Sequence, residues 1–163
     1  IVPYRKEWTT LFEKERKRLE KTLGDKVIDI QHVGSTSIPN MPSKPLIDIN
    51  VGIKTMKESG KYKKIFKSLG YEYRPKFGSE KTHMVFSKGS QISRTHLLHL
   101  MKYNGAIWKK HLLFRDYLRT HKTDARKYTE LKKILAKKFP NDRVVYTANK
   151  AEFINKIIKK AKI

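Results

Sequence analysis

The sequence contains no cysteine. That excludes disulfide scaffolds, cysteine-based zinc sites and thiol enzymes, and makes a reducing cytoplasm the expected compartment. No apolar run approaches the roughly 20 residues that a membrane-crossing helix needs, so no membrane span is expected. The opening Ile1-Val2-Pro3-Tyr4-Arg5-Lys6-Glu7-Trp8 lacks the apolar stretch of a signal peptide. Repeats, low-complexity blocks and linkers are missing too, and 163 residues read as one domain, 1–163. Acidic residues are scarce: 15 Asp and Glu stand against 38 Lys and Arg, a net charge of +23. Such an excess favours polyanions, whether nucleic acid, an acidic membrane surface or a phosphorylated small molecule, but a lysine-rich solvated surface has the same composition.

What is present suffices for a core: seven Phe, eight Tyr and two Trp, with 38% hydrophobic residues. Helical spacing of Trp8, Leu11, Phe12, Leu19 and Leu23 predicts a helix over 5–23, stopped at Gly24. Residues 27–33 read as a strand, 34–45 as a breaker-rich loop, and 46–53 as a second strand. Ile47, Ile49, Val51 and Ile53 form one face of that strand, which leaves Asp48 and Asn50 together on the other. A helix over 57–69, strands near 71–76, 82–87 and 95–101, and helices near 105–120, 124–139 and 147–161 follow. Asp124 and Thr147 are the expected N-caps of the last two helices. The order predicts an α/β (α+β) fold, a mixed β-sheet with flanking helices and a helical C-terminal part.

The chemistry-bearing stretch is His32-Val33-Gly34-Ser35 followed by Asp48-Ile49-Asn50. A Gly-Ser turn offers backbone N–H groups and a hydroxyl to phosphate oxygens, with no Cβ in the way at the glycine. Polar groups two apart on a strand point to the same side and can share a divalent ion. Read alone, these residues are equally a turn and a strand with a wet face.

The run IDIQHVGSTSIPNMPSKPLIDINVGI (28–53) closely resembles the signature of the GrpB family, a branch of the nucleotidyltransferase superfamily. VPYRKEW, RTHLLHLM (94–101), WKKHLLFRDYLRTH (108–121) and YTELKKILAKKFPNDRVVYTANKAEFI (128–154) resemble further family segments in the same order. The resemblance implies a nucleotidyltransferase-like fold, a nucleotide ligand, and Mg2+ or Mn2+ as cofactor. It implies Asp48, Asn50 and His99 as catalytic residues, with Asp48 and Asn50 as metal ligands. The candidate phosphate contacts are Gly34, Ser35 and Thr36 in the turn, Lys44 at the loop's end, Arg94 leading into the His99 strand, and Arg115. Arg115 and Arg119 share a helix face and form either a pocket rim or an ion-pair network with Asp116.

Two departures from the pattern bear on chemistry. The superfamily's Asp-x-Asp or Asp-x-Glu is here Asp48-Ile49-Asn50, and the family's His-x-His is Leu97-Leu98-His99. An amide oxygen is a weaker ligand for a hard cation than a carboxylate. Three functions therefore compete: a metal-dependent nucleotidyltransferase, a nucleotide- or phosphate-binding module without turnover, and a basic nucleic-acid-binding accessory protein supported by charge alone.

Overall fold

The computed structural model describes residues 1–90 and 92–162. Its elements run α1 (Glu7–Leu23), β1 (Asp29–Val33), β2 (Ile47–Ile53), α2 (Tyr62–Ser68), β3 (Tyr71–Tyr73), β4 (His83–Gly89), β5 (Arg94–Lys102), α3 (Ala106–Thr120), α4 (Lys122–Lys138) and α5 (Arg143–Ala161). The strands form a mixed five-stranded sheet in the order β1-β2-β5-β4-β3. Among the described residues only β2 and β5 pair in parallel, with Asn50 opposite His99. The other pairs are antiparallel.

The β-branched face of β2 is fully buried, together with Leu98 and Leu100 of β5, beneath Trp8, Phe12, Leu19 and Leu23 of α1 and Phe66 of α2. Removing these side chains from water drives the packing of α1 and α2 onto this face, each contributing about 1.5–3 kcal/mol. The other face carries Asp48 and Asn50. A second apolar cluster joins Ile38 and Met41 of the loop after β1 to Phe114 and Leu118 of α3, Tyr128 of α4, and Ile157 and Ile158 of α5. The C-terminal helices are thus clamped over the loop, beside the polar face of the sheet.

Several expectations are corrected. Leu11 is 44% exposed, and Glu15 takes the inward place on α1 at 5% exposure. Its carboxylate accepts from Tyr71 Oη at 2.7 Å, Lys88 Nζ at 3.0 Å and Arg18 Nε at 2.7 Å. Helix α4 begins at Lys122, so Asp124 is not its N-cap. Its Oδ2 instead accepts from Tyr117 Oη at 2.7 Å, with Lys160 Nζ at 3.5 Å, stitching α3 and α5 to α4. Helix α5 begins at Arg143 rather than Thr147, and Asp142 caps it by accepting from the Val145 N–H at 3.1 Å. The expected strand over 71–76 ends at Tyr73, because Pro75–Phe77 forms a tight turn.

Although burial alone would raise it, the bonds from Arg18, Tyr71 and Lys88 hold the Glu15 carboxyl down at about 2. Its contribution to stability is therefore complete above pH 4.5, the unfolded value, and is lost as pH falls through about 2. Replacing Glu15 with Gln is expected to cost roughly 2 kcal/mol at pH 7 and to flatten the pH dependence of the urea midpoint between about 4.5 and 2. An unchanged slope in that window would contradict the assignment.

Candidate functional site

Strand β1 runs into the turn at Gly34, which has φ +74°. A Cβ built there would lie 2.4 Å from Asp48 Oδ2, so the backbone can cross the carboxylate only as glycine. Residues Ser35–Ser37 then form a single tight turn, with the Ser37 and Ile38 N–H groups donating to the Gly34 and Ser35 carbonyls. The loop is braced from below. Thr36, 1% exposed, donates its hydroxyl to the Leu46 carbonyl at 3.1 Å and lies 2.9 Å from His32 Nε2. His32 stacks on Phe12 with ring centroids 4.8 Å apart, and burial pushes it down to about 4, so it is neutral at pH 7. Arg115 NH1 donates to Gln31 Oε1 at 2.8 Å and to the His32 carbonyl at 2.9 Å, while its Nε donates to Asp116 Oδ1 at 2.9 Å. Arg119 Nε donates to the Ser37 carbonyl at 3.0 Å. Thr36 and Arg115 therefore serve the loop's shape and are turned away from the space above it.

On the polar face of the sheet, Asp48 Oδ1 lies 3.2 Å from His99 Nε2, and His99 Nδ1 lies 2.9 Å from His83 Nε2. A carboxylate can only accept, so His99 Nε2 carries the hydrogen. In a neutral ring Nδ1 is then the acceptor, which requires the hydrogen of His83 on Nε2. The array leaves His99 no lone pair for a substrate. Its role is to hold Asp48. Asn50, 0% exposed, has both its amide Nδ2, at 3.0 Å, and its Oδ1, at 3.1 Å, against His111 Nδ1. The His111 ring packs edge-on to His99 at 5.6 Å and to His83 at 6.0 Å. Burial pushes His83 down to about 3 and His111 to about 4.

Two cavities meet at Asp48. One, of about 210 Å³, is walled by Val33, Phe114, Tyr128, Ile154 and Ile158, with Lys110 also lining it; Gly34, His99 and His111 complete it. The other, of about 240 Å³, brings Ser35 and Lys44 of the loop together with Lys132 of α4 and Tyr146 and Lys150 of α5. Among the predicted site residues, Gly34, Ser35, Lys44, Asp48 and His99 converge here. Asn50, Thr36, Arg94 and Arg115 line neither cavity; Arg94 lines a neighbouring hollow with Lys44 and Tyr146. Sequence reasoning missed His83, His111, Lys132 and Lys150.

Among the described residues no group of three or more His, Asp or Glu side chains is arranged to hold a metal ion. With Asn50 engaged by His111, Asp48 is the one carboxylate among the described residues that line these cavities. That donor set suits a cation that takes its other ligands from phosphate and water, as Mg2+ commonly does.

The same mixed α+β fold, a five-stranded sheet with these helices, occurs in the crystal structure of the conserved protein GrpB from Enterococcus faecalis. That chain is 35% identical, with a TM-score of 0.87 covering 98% of this chain and 95% of that one. The family described as GrpB protein matches residues 1–160, and the chain belongs to the GrpB family. Glutamate-rich protein GrpB of Alkalihalophilus pseudofirmus is 37% identical over 161 residues, covering 97% of this chain and 92% of the relative. The UPF0157 protein YqkA of Bacillus subtilis is 36% identical, and this chain spans 47% of its length. The glutamate-rich character named for the first relative is not shared here, where Lys and Arg outnumber Asp and Glu 38 to 15. Among the described residues no helix is long and apolar enough to cross a membrane.

Proposed function

We propose that the protein binds a nucleoside triphosphate against the Gly34–Ser35 turn. It transfers the nucleoside monophosphate to an acceptor hydroxyl, with Asp48 as the residue that would hold Mg2+ or Mn2+. The supporting observation is the position of Asp48. It is pinned on one side by His99, pressed on the other by Gly34, and lines both a lysine-bearing cavity and an apolar one. The resemblance of 28–53 to the nucleotidyltransferase pattern points the same way. When bound, the ion offsets phosphate charge and polarises the α-phosphate.

Ser35 and Lys44 hold phosphate oxygens, and the apolar cavity takes an uncharged moiety and excludes water around Asp48. The acceptor oxygen forms its bond to the α-phosphorus as the bond to the bridging oxygen breaks. Pyrophosphate departs, and the acceptor proton passes to water. His83 and His99 keep their hydrogens on Nε2 and hold Asp48 as an acceptor throughout. A second reading, binding without turnover, is favoured by the complete burial of Asn50 against His111, which withholds a second ligand from the ion.

Thermal-shift screening with ATP, CTP, GTP and UTP, with and without Mg2+ or Mn2+, tests the proposal through linkage. One nucleotide is expected to stabilise the protein selectively and more so with the metal. Ser35→Ala is expected to weaken that binding about fivefold, the loss of roughly 1 kcal/mol of hydrogen bonding, while the exposed Lys17→Ala changes nothing. Equal weakening in both variants, or stabilisation by every polyanion alike, would favour diffuse attraction of the kind nucleic acid also exploits.

A further inference from the structure

The lysine-bearing cavity has a feature that the nucleotide reading did not require. Lys132, in mid-helix on α4, is 3% exposed. Its Nζ donates to the Pro42 carbonyl at 2.9 Å and stands 5.0 Å from the centre of the Tyr128 ring. Among the described residues no carboxylate is within ion-pair reach of it. Beside it, Lys44 from the loop and Lys150 from α5 hold their amines 4.3 and 4.7 Å from the centre of the same Tyr146 ring. Three lysines from three separate segments thus line a pocket of about 240 Å³. The one acid in the lining is Asp48, which already accepts from His99.

We infer that this cavity is a binding site for a short polyphosphate chain, pyrophosphate or triphosphate, with Lys132 and Lys150 of the C-terminal helices as its principal ligands alongside Ser35 and Lys44. The inference rests on the nucleotide reading for its place in a reaction, where it holds the β- and γ-phosphates that leave. It does not need a nucleoside to be bound.

The buried amine of Lys132, with Lys44 and Lys150 beside it in the same lining, suits a compact polyanion better than a monocarboxylate or a single phosphate. Burying an ammonium without a counter-ion is costly, and burial together with Lys150 pushes Lys132 down to about 7. An anion in the cavity reverses that cost and draws a proton onto the amine. The site also gives the C-terminal helices a task besides packing: both contribute cations to a ligand whose remaining contacts lie on the sheet's own loop.

Isothermal titration of the full chain with sodium tripolyphosphate and with pyrophosphate, at pH 8 and without nucleoside, tests this. Wild type is expected to bind one tripolyphosphate with uptake of protons, seen as a dependence of the heat on the buffer's ionisation enthalpy. Lys132→Met, which keeps most of the aliphatic stem and removes the amine, is expected to fold, to bind at least ~10-fold more weakly, and to lose that proton uptake. Lys150→Ala is expected to weaken binding ~10-fold and Lys17→Ala less than twofold. Undiminished binding in Lys132→Met and Lys150→Ala, or equal loss in Lys17→Ala, would overturn the site. Tight, lysine-dependent tripolyphosphate binding without nucleotide selectivity would leave it standing and remove the nucleotide reading. Selective nucleotide binding indifferent to Lys132 and Lys150 would do the reverse.

Discussion

Gly34→Ala is expected to lose both stability and ligand. At φ +74° an alanine is strained by about 1–2 kcal/mol, and its Cβ would meet Asp48 Oδ2 at 2.4 Å and Asp48 Cβ and Cγ at 2.9 Å. These are first atoms of a short side chain, not the tip of a long one, so relief requires moving the turn or swinging the carboxylate off His99. Overpacking of this kind costs a further ~1–3 kcal/mol, giving a total of roughly 2–5. Whichever element yields, Ser35 and Asp48 no longer face the same space, and nucleotide binding should fall at least tenfold. Urea denaturation and nucleotide titration of the variant check both parts. A variant as stable as wild type would show that the turn does not press on Asp48.

Acid should unfold the protein unusually early for a chain of such basic charge. His32, His83 and His111 are held neutral by burial at about 4, 3 and 4, against 6.5 when unfolded. Each has a lowered folded value, so the unfolded chain binds more protons between pH 6.5 and about 4. Stability is therefore full above pH 6.5 and falls as pH drops through that window. At about 1.4 kcal/mol for each unit of difference, each ring taken alone contributes a few kcal/mol. The two rings beside His99 share one cluster, so their parts do not simply add. Urea midpoints measured from pH 8 to pH 4 should decline steadily from 6.5 downward, and His111→Gln should reduce the decline. A flat profile over that range would mean that these rings are solvated in the folded state.

The architecture was legible because its elements announce themselves locally. Alternating β-branched residues from Ile47 to Ile53 mark a strand with one buried face, and that is the face α1 covers. The Gly34–Ser35 turn, Asp48 and His99 were legible because two strands and a turn bring them together in any sheet that pairs β2 with β5. The remainder depends on register and on contacts between distant segments. His83 meets His99 only because β4 pairs with β5 so that Val85 opposes His99, placing His83 one step along the same face. Lys132 looks like any lysine of a charged helix. It is buried because the Pro42 carbonyl, 90 residues earlier, lies over its amine. Glu15 falls between Phe12 and Leu19 on the apolar stripe of α1, but its partners Tyr71 and Lys88 come from the far strands and leave no local signal.

The most direct test of the account is Mn2+ and nucleotide titration of wild type, Asp48→Ala and Asn50→Asp, followed by release of pyrophosphate from labelled nucleoside triphosphates. Wild type is expected to take up Mn2+ weakly alone and far more tightly with the triphosphate, since one carboxylate must share the ion with phosphate oxygens. Asp48→Ala should abolish the cooperative uptake and all release of pyrophosphate while the protein stays folded. Asn50→Asp places a carboxylate against the buried His111 ring, and is expected to destabilise the fold by about 2 kcal/mol before it helps the metal. Release of pyrophosphate by wild type that survives Asp48→Ala would contradict the account, because the reaction would then run somewhere other than the cavities that meet at this carboxylate.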